Sequence, residues 1–167
     1  MRRFLVLPFL VALLLTGGIA AAMGNTIQKT TTAGPYKLVL KIGPPEKMSM
    51  KKSSGGEMML GGKKATCAYN GGGMNMGGSK GMKTCNHHLE LHVYNKSNGA
   101  VVQHATVAIS MVDSKNHKTV VVPVMTMMGS KGMMDYHYGN NIYAGPGSYR
   151  VTVRVNKTMA TFSVSLM

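Results

Sequence analysis

The apolar positions of the chain fall into short alternating runs, not helical stripes. Tyr36-Lys37-Leu38-Val39-Leu40-Lys41-Ile42 is the first run, and Pro44-Pro45 stops it. In His87-His88-Leu89-Glu90-Leu91-His92-Val93-Tyr94 a period of two puts Leu89, Leu91 and Val93 on one face and His88, Glu90 and His92 on the other. Asn98-Gly99 is a hairpin signal. His104 to Val112 alternates again, with Ala105, Val107, Ile109 and Met111 toward the core. Ser114-Lys115-Asn116 then turns the chain into a valine-rich run from His117 to Val124. Gly145-Pro146-Gly147 leads into Tyr149 to Val155, Asn156-Lys157 makes a short hairpin, and Met159 to Leu166 closes the chain with Phe162, Val164 and Leu166 inward.

About seven short strands separated by turn residues predict an all-β, antiparallel, immunoglobulin-like sandwich over residues 36–167. Gly147-Ser148-Tyr149 has the pattern of a tyrosine corner, in which the phenol bonds back to the preceding turn. Three segments interrupt the strand pattern. Residues 1–22 have the form of a signal peptide: Arg2-Arg3, an apolar stretch from Phe4 to Leu15, and Ala20-Ala21-Ala22 as the cleavage site. The apolar stretch is short for a membrane span, so the expected product is periplasmic or otherwise extracytoplasmic. Residues 23–35 are polar and threonine-rich and read as a tail. Residues 46–86 are rich in Gly, Lys, Ser and Met with no sustained period; they read as a mobile insertion that cannot bury enough apolar area to offset its ordering entropy.

Charge and cysteine content narrow the setting. The formal net charge of +14 arises because acids are nearly absent, Glu46, Glu57, Glu90, Asp113 and Asp135 being the full set. A basic chain can bind nucleic acid, yet no RNA-binding motif with interleaved aromatics occurs and an export signal argues against that partner. A solvated basic surface, or one suited to an acidic exterior, is the reading kept. Cys67 and Cys85 are the only cysteines, and in an oxidising compartment they read as one disulfide, with a thiolate ligand pair as the alternative.

Methionine and histidine carry the candidate chemistry. The chain has 17 methionines, no tryptophan and three phenylalanines. Thioethers and imidazoles are the ligands soft and borderline metals select, copper above all. Exposed methionines can instead scavenge oxidants through the sulfoxide, or be incidental to a structural module. Met125-Thr126-Met127 can present two sulfurs on one strand face, and the glycine-broken turn after it can swing His137 back beside them. On the other histidine face, His88 and His92 lie ~13 Å apart along an ideal strand, so one metal would use an adjacent pair with Glu90, not all three. Spacings for a hydrolytic zinc site, a Ser-His-Asp set and a phosphate-binding loop are all missing, so an enzyme is not expected.

His88-Leu89-Glu90, Pro123-Val124-Met125-Thr126-Met127, His137-Tyr138-Gly139-Asn140-Asn141 and Gly147-Ser148-Tyr149-Arg150-Val151-Thr152-Val153 together resemble the periplasmic copper-binding proteins associated with high-affinity iron transport. The resemblance spans about Tyr36 to Leu166 with the insertion removed. It implies an immunoglobulin-like sandwich, a homodimer, an inner-membrane iron permease as partner, and a copper site of one glutamate, one methionine and two histidines. Carried over, Glu90 is the glutamate, Met127 the methionine (Met125 or Met128 the substitutes) and His137 one histidine. The family's other histidine lies between the last two strands, where this chain has only Val155-Asn156-Lys157-Thr158; His88, His92 or a loop methionine is left to replace it. The expected cofactor is copper, with a second, transported metal such as iron as the further expectation, and affinity should fall at low pH because the imidazoles must be neutral to coordinate.

Overall fold

The computed structural model describes residues 26–50, 56–68 and 82–167. The signal-like segment 1–22, residues 23–25, and residues 51–55 and 69–81 of the insertion lie outside the described residues. Eleven strands are present among those described: β1 (Ile27–Ala33), β2 (Tyr36–Gly43), β3 (Met48–Ser49), β4 (Glu57–Gly62), β5 (His87–Asn95), β6 (Val107–Asp113), β7 (Thr119–Val122), β8 (Met125–Met128), β9 (Tyr136–Ile142), β10 (Gly147–Val155) and β11 (Thr158–Leu166). A 3-10 turn, Gly132–Asp135, connects β8 to β9. The strands form a seven-stranded sheet, β1-β2-β5-β9-β8-β4-β3, and a four-stranded sheet, β11-β10-β6-β7. All pairs are antiparallel except β3 with β4. The expected all-β sandwich is therefore the fold.

The core lies between the two sheets and follows the period of two. Leu38, Leu40 and Ile42 of β2, Leu89, Leu91 and Val93 of β5, and Tyr138 and Ile142 of β9 supply one wall. Ile109 and Met111 of β6, Val151, Val153 and Val155 of β10, and Phe162, Val164 and Leu166 of β11 supply the other. Full burial of each of these side chains contributes roughly 1.5–3 kcal/mol, so this wall-to-wall contact is what fixes register. The tyrosine corner is formed: Tyr149 OH donates to the Gly145 carbonyl at 2.9 Å. Tyr138 also reaches across the sandwich edge, where its hydroxyl donates to Val102 O and accepts from Ala105 N.

Two segments differ from the sequence reading. Residues 27–33, expected as part of a polar tail, form β1 and pair with β2 along their whole length, from Ile27↔Ile42 to Ala33↔Tyr36. This is an edge strand with mostly exposed side chains, so its stability comes from backbone ladder bonds and β-branched threonines, not from an apolar period. The insertion 46–86 is also structured in part. Glu57–Gly62 adds to the sheet as β4, paired with β8, and Cys67 and Cys85 form a disulfide across a separation of 18 residues. Ala68 and Thr84 bridge beside that disulfide, and Asn86 N donates to Ile142 O, which anchors the return of the insertion to the end of β9.

Candidate metal centre

The face of the seven-stranded sheet turned away from the core carries the chemistry. Alternation sends His88, Glu90 and His92 of β5 to this face, opposite to Leu89, Leu91 and Val93. Strand register then lines up partners from neighbouring strands: Val39 with His92, Met127 with His137, and Met59 with Met127. The His137 ring centroid lies 5.2 Å from that of His92 and 5.9 Å from that of His88. His88, His92 and His137 are all buried, as is Glu57. A polar face this deeply covered is costly unless its groups are paired or hold an ion.

Hydrogen bonds to one ring nitrogen fix the state of the other. Asn141 Oδ1 accepts from Glu46 N at 3.0 Å while Asn141 Nδ2 donates to Glu46 O at 2.7 Å, so the orientation of the amide is set by backbone groups that can play only one role. His88 Nδ1, 2.9 Å from that same Oδ1, must then be the protonated nitrogen. His137 Nδ1 likewise donates to Asp135 O at 2.8 Å. In their neutral forms both imidazoles consequently present a bare Nε2 lone pair. Both Nε2 atoms are buried and lack any hydrogen-bond partner, and so does Glu57 Oε2, although it lies only 3.1 Å from His137 Nε2. A carboxylate oxygen and an imidazole lone pair facing each other at that distance repel unless a proton or a metal cation stands between them. Donor atoms of Glu57, His88 and His137 all fall within 4.8 Å of one another. The residues present thus fit a cation of borderline softness, with two nitrogens and one oxygen drawn close together in a buried place.

A second grouping shares His137. Donor atoms of Glu90, His92, Asp135 and His137 also lie within 4.8 Å of one another. Here the groups are already satisfied in part: Glu90 Oε2 accepts from His92 Nε2 at 2.7 Å and from Lys41 Nζ at 3.2 Å, leaving His92 Nδ1 as the buried atom without a partner. Between them the two groupings and Glu46 use four of the chain's five acids, Asp113 alone serving elsewhere as a turn cap that accepts from Lys115 N and Asn116 N. In a chain of net charge +14, negative charge is concentrated at this one place.

The electrostatics reflect that concentration. Burial alone would push the Glu57 carboxyl up, but His137, and after it His88, outweighs burial and holds it below its ordinary value. His137 shows the converse, since Glu57 and then Glu90 raise its pKa against the opposing pull of burial. Burial lowers the pKa of His88 and keeps that ring neutral. Glu90 is held down to about 2, against burial, by its bond to His92 and by the nearby His137 and Lys41. Glu46 is pushed up to about 7 by burial first and then by the carboxylates of Glu57 and Glu90.

Of the residues singled out from sequence, His88, Glu90, His92, Met125, Met127 and His137 all occupy this face. His88 and His92 fall into different groupings, each sharing His137, in keeping with their separation along β5. Glu57 was missed because it sits in the aperiodic insertion, and the role of Asn141 because an amide is not a ligand; Met59 belongs to the insertion methionines, which the sequence marks as soft-metal ligands without a place in a strand. The scarcity of acids was the available signal for Glu57. Two glycines make room: a Cβ at Gly139 would collide with the Leu89 carbonyl oxygen, and one at Gly129 with the Asp135 carboxylate, at 3.2 Å from Glu57 Oε1. The Gly of His-Tyr-Gly-Asn-Asn is thus required by close approach of β5 and β9.

No protein-family model matches the chain, and no curated protein matches it by sequence. Solved structures do match in fold. A copper-bound variant of FetP from uropathogenic Escherichia coli superposes with a TM-score of 0.58 at 15% identity, over 86% of this chain and 98% of that one. FetP in its as-isolated form gives 0.57 at 15% identity, over 86% and 97%. The copper-reconstituted P19 protein of Campylobacter jejuni gives 0.56 at 12% identity, over 86% and 98%. Among the described residues no helix is long and apolar enough to cross a membrane.

Proposed function

We propose that this chain is an exported copper-binding protein in which His88 Nε2, His137 Nε2 and the Glu57 carboxylate hold the ion, with the Met127 thioether beside them. The observation that carries the reading is the convergence of three buried donor atoms that have no hydrogen-bond partner. Support comes from the fold, which is shared with copper-bound FetP and P19 at nearly full length. The mixed donor set suits a metal that changes oxidation state, because imidazole and carboxylate favour Cu(II) and thioether favours Cu(I). In this reading the chain acts by binding and passing on metal.

In the same reading the protein is periplasmic and assists iron uptake or copper handling beside an inner-membrane metal permease, as a homodimer. The adjoining Glu90, His92 and Asp135 have the harder donor set that a second, transported cation such as iron would use. Copper titration of the disulfide-intact chain tests the central statement. One tightly bound Cu(II) per chain, lost in His137→Ala and in Glu57→Gln, is expected. Unchanged binding in both variants sinks the site, and absence of Cu(II) binding in the parent chain leaves the sandwich as a structural module or a methionine-based oxidant sink.

A further inference from the structure

We propose that Met48, Met59, Met125 and Met127 form a distinct all-thioether position for a soft monovalent ion, Cu(I) in the cell, alongside the imidazole and carboxylate centre. The inference rests on the proposed function only for the identity of the metal. Met59, Met125 and Met127 are 7, 5 and 0% exposed and make a buried cluster separate from the main core, with Met48 packed against it. No other apolar residue type belongs to the cluster. Its sulfurs come from three adjacent strands: Met48 on β3, Met59 on β4, and Met125 and Met127 on β8. Met59 and Met127 are direct cross-strand partners, and Met125 lies two positions along on the same face. Met127 is also the partner of His137 across β8 and β9, so the thioether cluster begins where the imidazole centre ends.

The competing explanation is that these methionines merely fill a small satellite core, as flexible side chains do. Composition argues against it. The main core of this same protein is built from Leu, Ile, Val, Tyr and Phe, with Met111 as its single buried methionine. A satellite chosen for packing alone would draw on those residues too, and β-branched side chains suit strands better. Instead the thioethers are grouped where sulfur ligands would stand next to a metal centre. The four ligands themselves are uncharged, which selects the ion further, with His137 and Glu57 at the edge where the cluster meets the imidazole centre. Burial cost scales with the square of charge, so a divalent ion costs roughly four times what a monovalent one does when its ligands are neutral. Thioethers are soft ligands and neutral, the combination that selects Cu(I) over Cu(II) and over hard cations. The two positions therefore meet at Met127: the imidazole and carboxylate side favours the divalent ion, and the all-sulfur side the monovalent one.

Ag(I) is the redox-inert probe, titrated into the intact, disulfide-bonded chain with methionine methyls labelled for carbon-13 NMR. The expected result is that the methyl signals of Met48, Met59, Met125 and Met127 shift together at the lowest silver equivalents, ahead of exposed Met134 and Met159. The double variant Met59→Leu/Met125→Leu keeps side-chain volume, and should weaken this first Ag(I) step by at least about tenfold while leaving Cu(II) affinity within about twofold. If exposed methionines respond first and the four buried signals stay put, the position does not exist. Equal loss of Ag(I) and Cu(II) in the double variant also overturns it, since one shared centre would then account for both. Ag(I) binding at the four methionines in a chain that fails to bind Cu(II) would keep this inference and discard the imidazole centre.

Discussion

The two faces of the seven-stranded sheet are made by the same strands and obey opposite rules. On β5, Leu89, Leu91 and Val93 pack against the four-stranded sheet, while His88, Glu90 and His92, one residue out of phase, project the other way. Both faces are largely buried. On the inner face burial is the source of stability, since apolar area leaves water with every polar group already satisfied in the ladder. On the outer face burial works against stability: carboxylates and imidazoles are desolvated, and Glu57 Oε2 faces His137 Nε2 at 3.1 Å, a contact that is favourable only with a proton or a cation between them. A fold tolerates such a face when something other than stability selects it, and the inner face is large enough to carry the difference.

Substitutions can break this comparison from either side. The largest effect on stability is expected inside: Leu91→Ala should lower unfolding free energy by about 2–5 kcal/mol, equally with and without copper, as read from urea unfolding. On the outer face Glu57→Gln should do the reverse. Copper affinity should fall at least about 100-fold, beyond what loss of a supporting hydrogen bond gives, while stability of the metal-free chain stays within about 1 kcal/mol because the amide can donate to the bare His137 nitrogen. The same variant should lower the His137 pKa, followed by NMR, because Glu57 is what raises it. The raised His137 contributes stability fully present below its ordinary 6.5 and lost as pH rises through its folded value, and the lowered Glu57 contributes above its ordinary 4.5. Parent and variant metal-free chains should therefore differ most between those two values.

Smaller effects sharpen the picture. Asn141→Leu removes the acceptor that fixes His88 Nδ1–H, and copper affinity should fall about 10- to 100-fold with both histidines and Glu57 still present. Tyr149→Phe breaks only the bond to Gly145 O on the core side, and should cost about 1 kcal/mol of stability with copper affinity unchanged. If Asn141→Leu proved harmless to copper and Tyr149→Phe did not, the division of labour between the two faces would be wrong.

What could be read from sequence divides along the same line. The inner face was legible because core strands keep a strict period of two, and Leu89, Leu91 and Val93 announce both the strand and its orientation. His88, Glu90 and His92 were legible for the same reason, as residues out of phase with that period. Met125 and Met127 were legible from their alternate spacing, and His137 from the glycine-broken turn before it and from the family resemblance. β1 was not, because an edge strand such as Ile27–Ala33 is held by backbone bonds to β2 and needs no apolar stripe. Glu57 was hidden because Glu57–Gly62 becomes a strand only through β8, a partner far along the chain, with the Cys67–Cys85 bond closing the remainder of the insertion. Local composition there, glycine and lysine around methionine, points to disorder; tertiary pairing overrides it.

The most direct test of the centre is pulsed EPR of the Cu(II)-loaded chain, read for the remote nitrogens of bound imidazoles. Coordination through Nε2 leaves the protonated Nδ1 of each ring as the remote nitrogen, so the parent chain should show combination lines from two histidines and His88→Ala should show only one. A signal with no histidine modulation, or a two-histidine pattern that survives His88→Ala, would contradict the assignment of His88 and His137 as the paired nitrogen ligands.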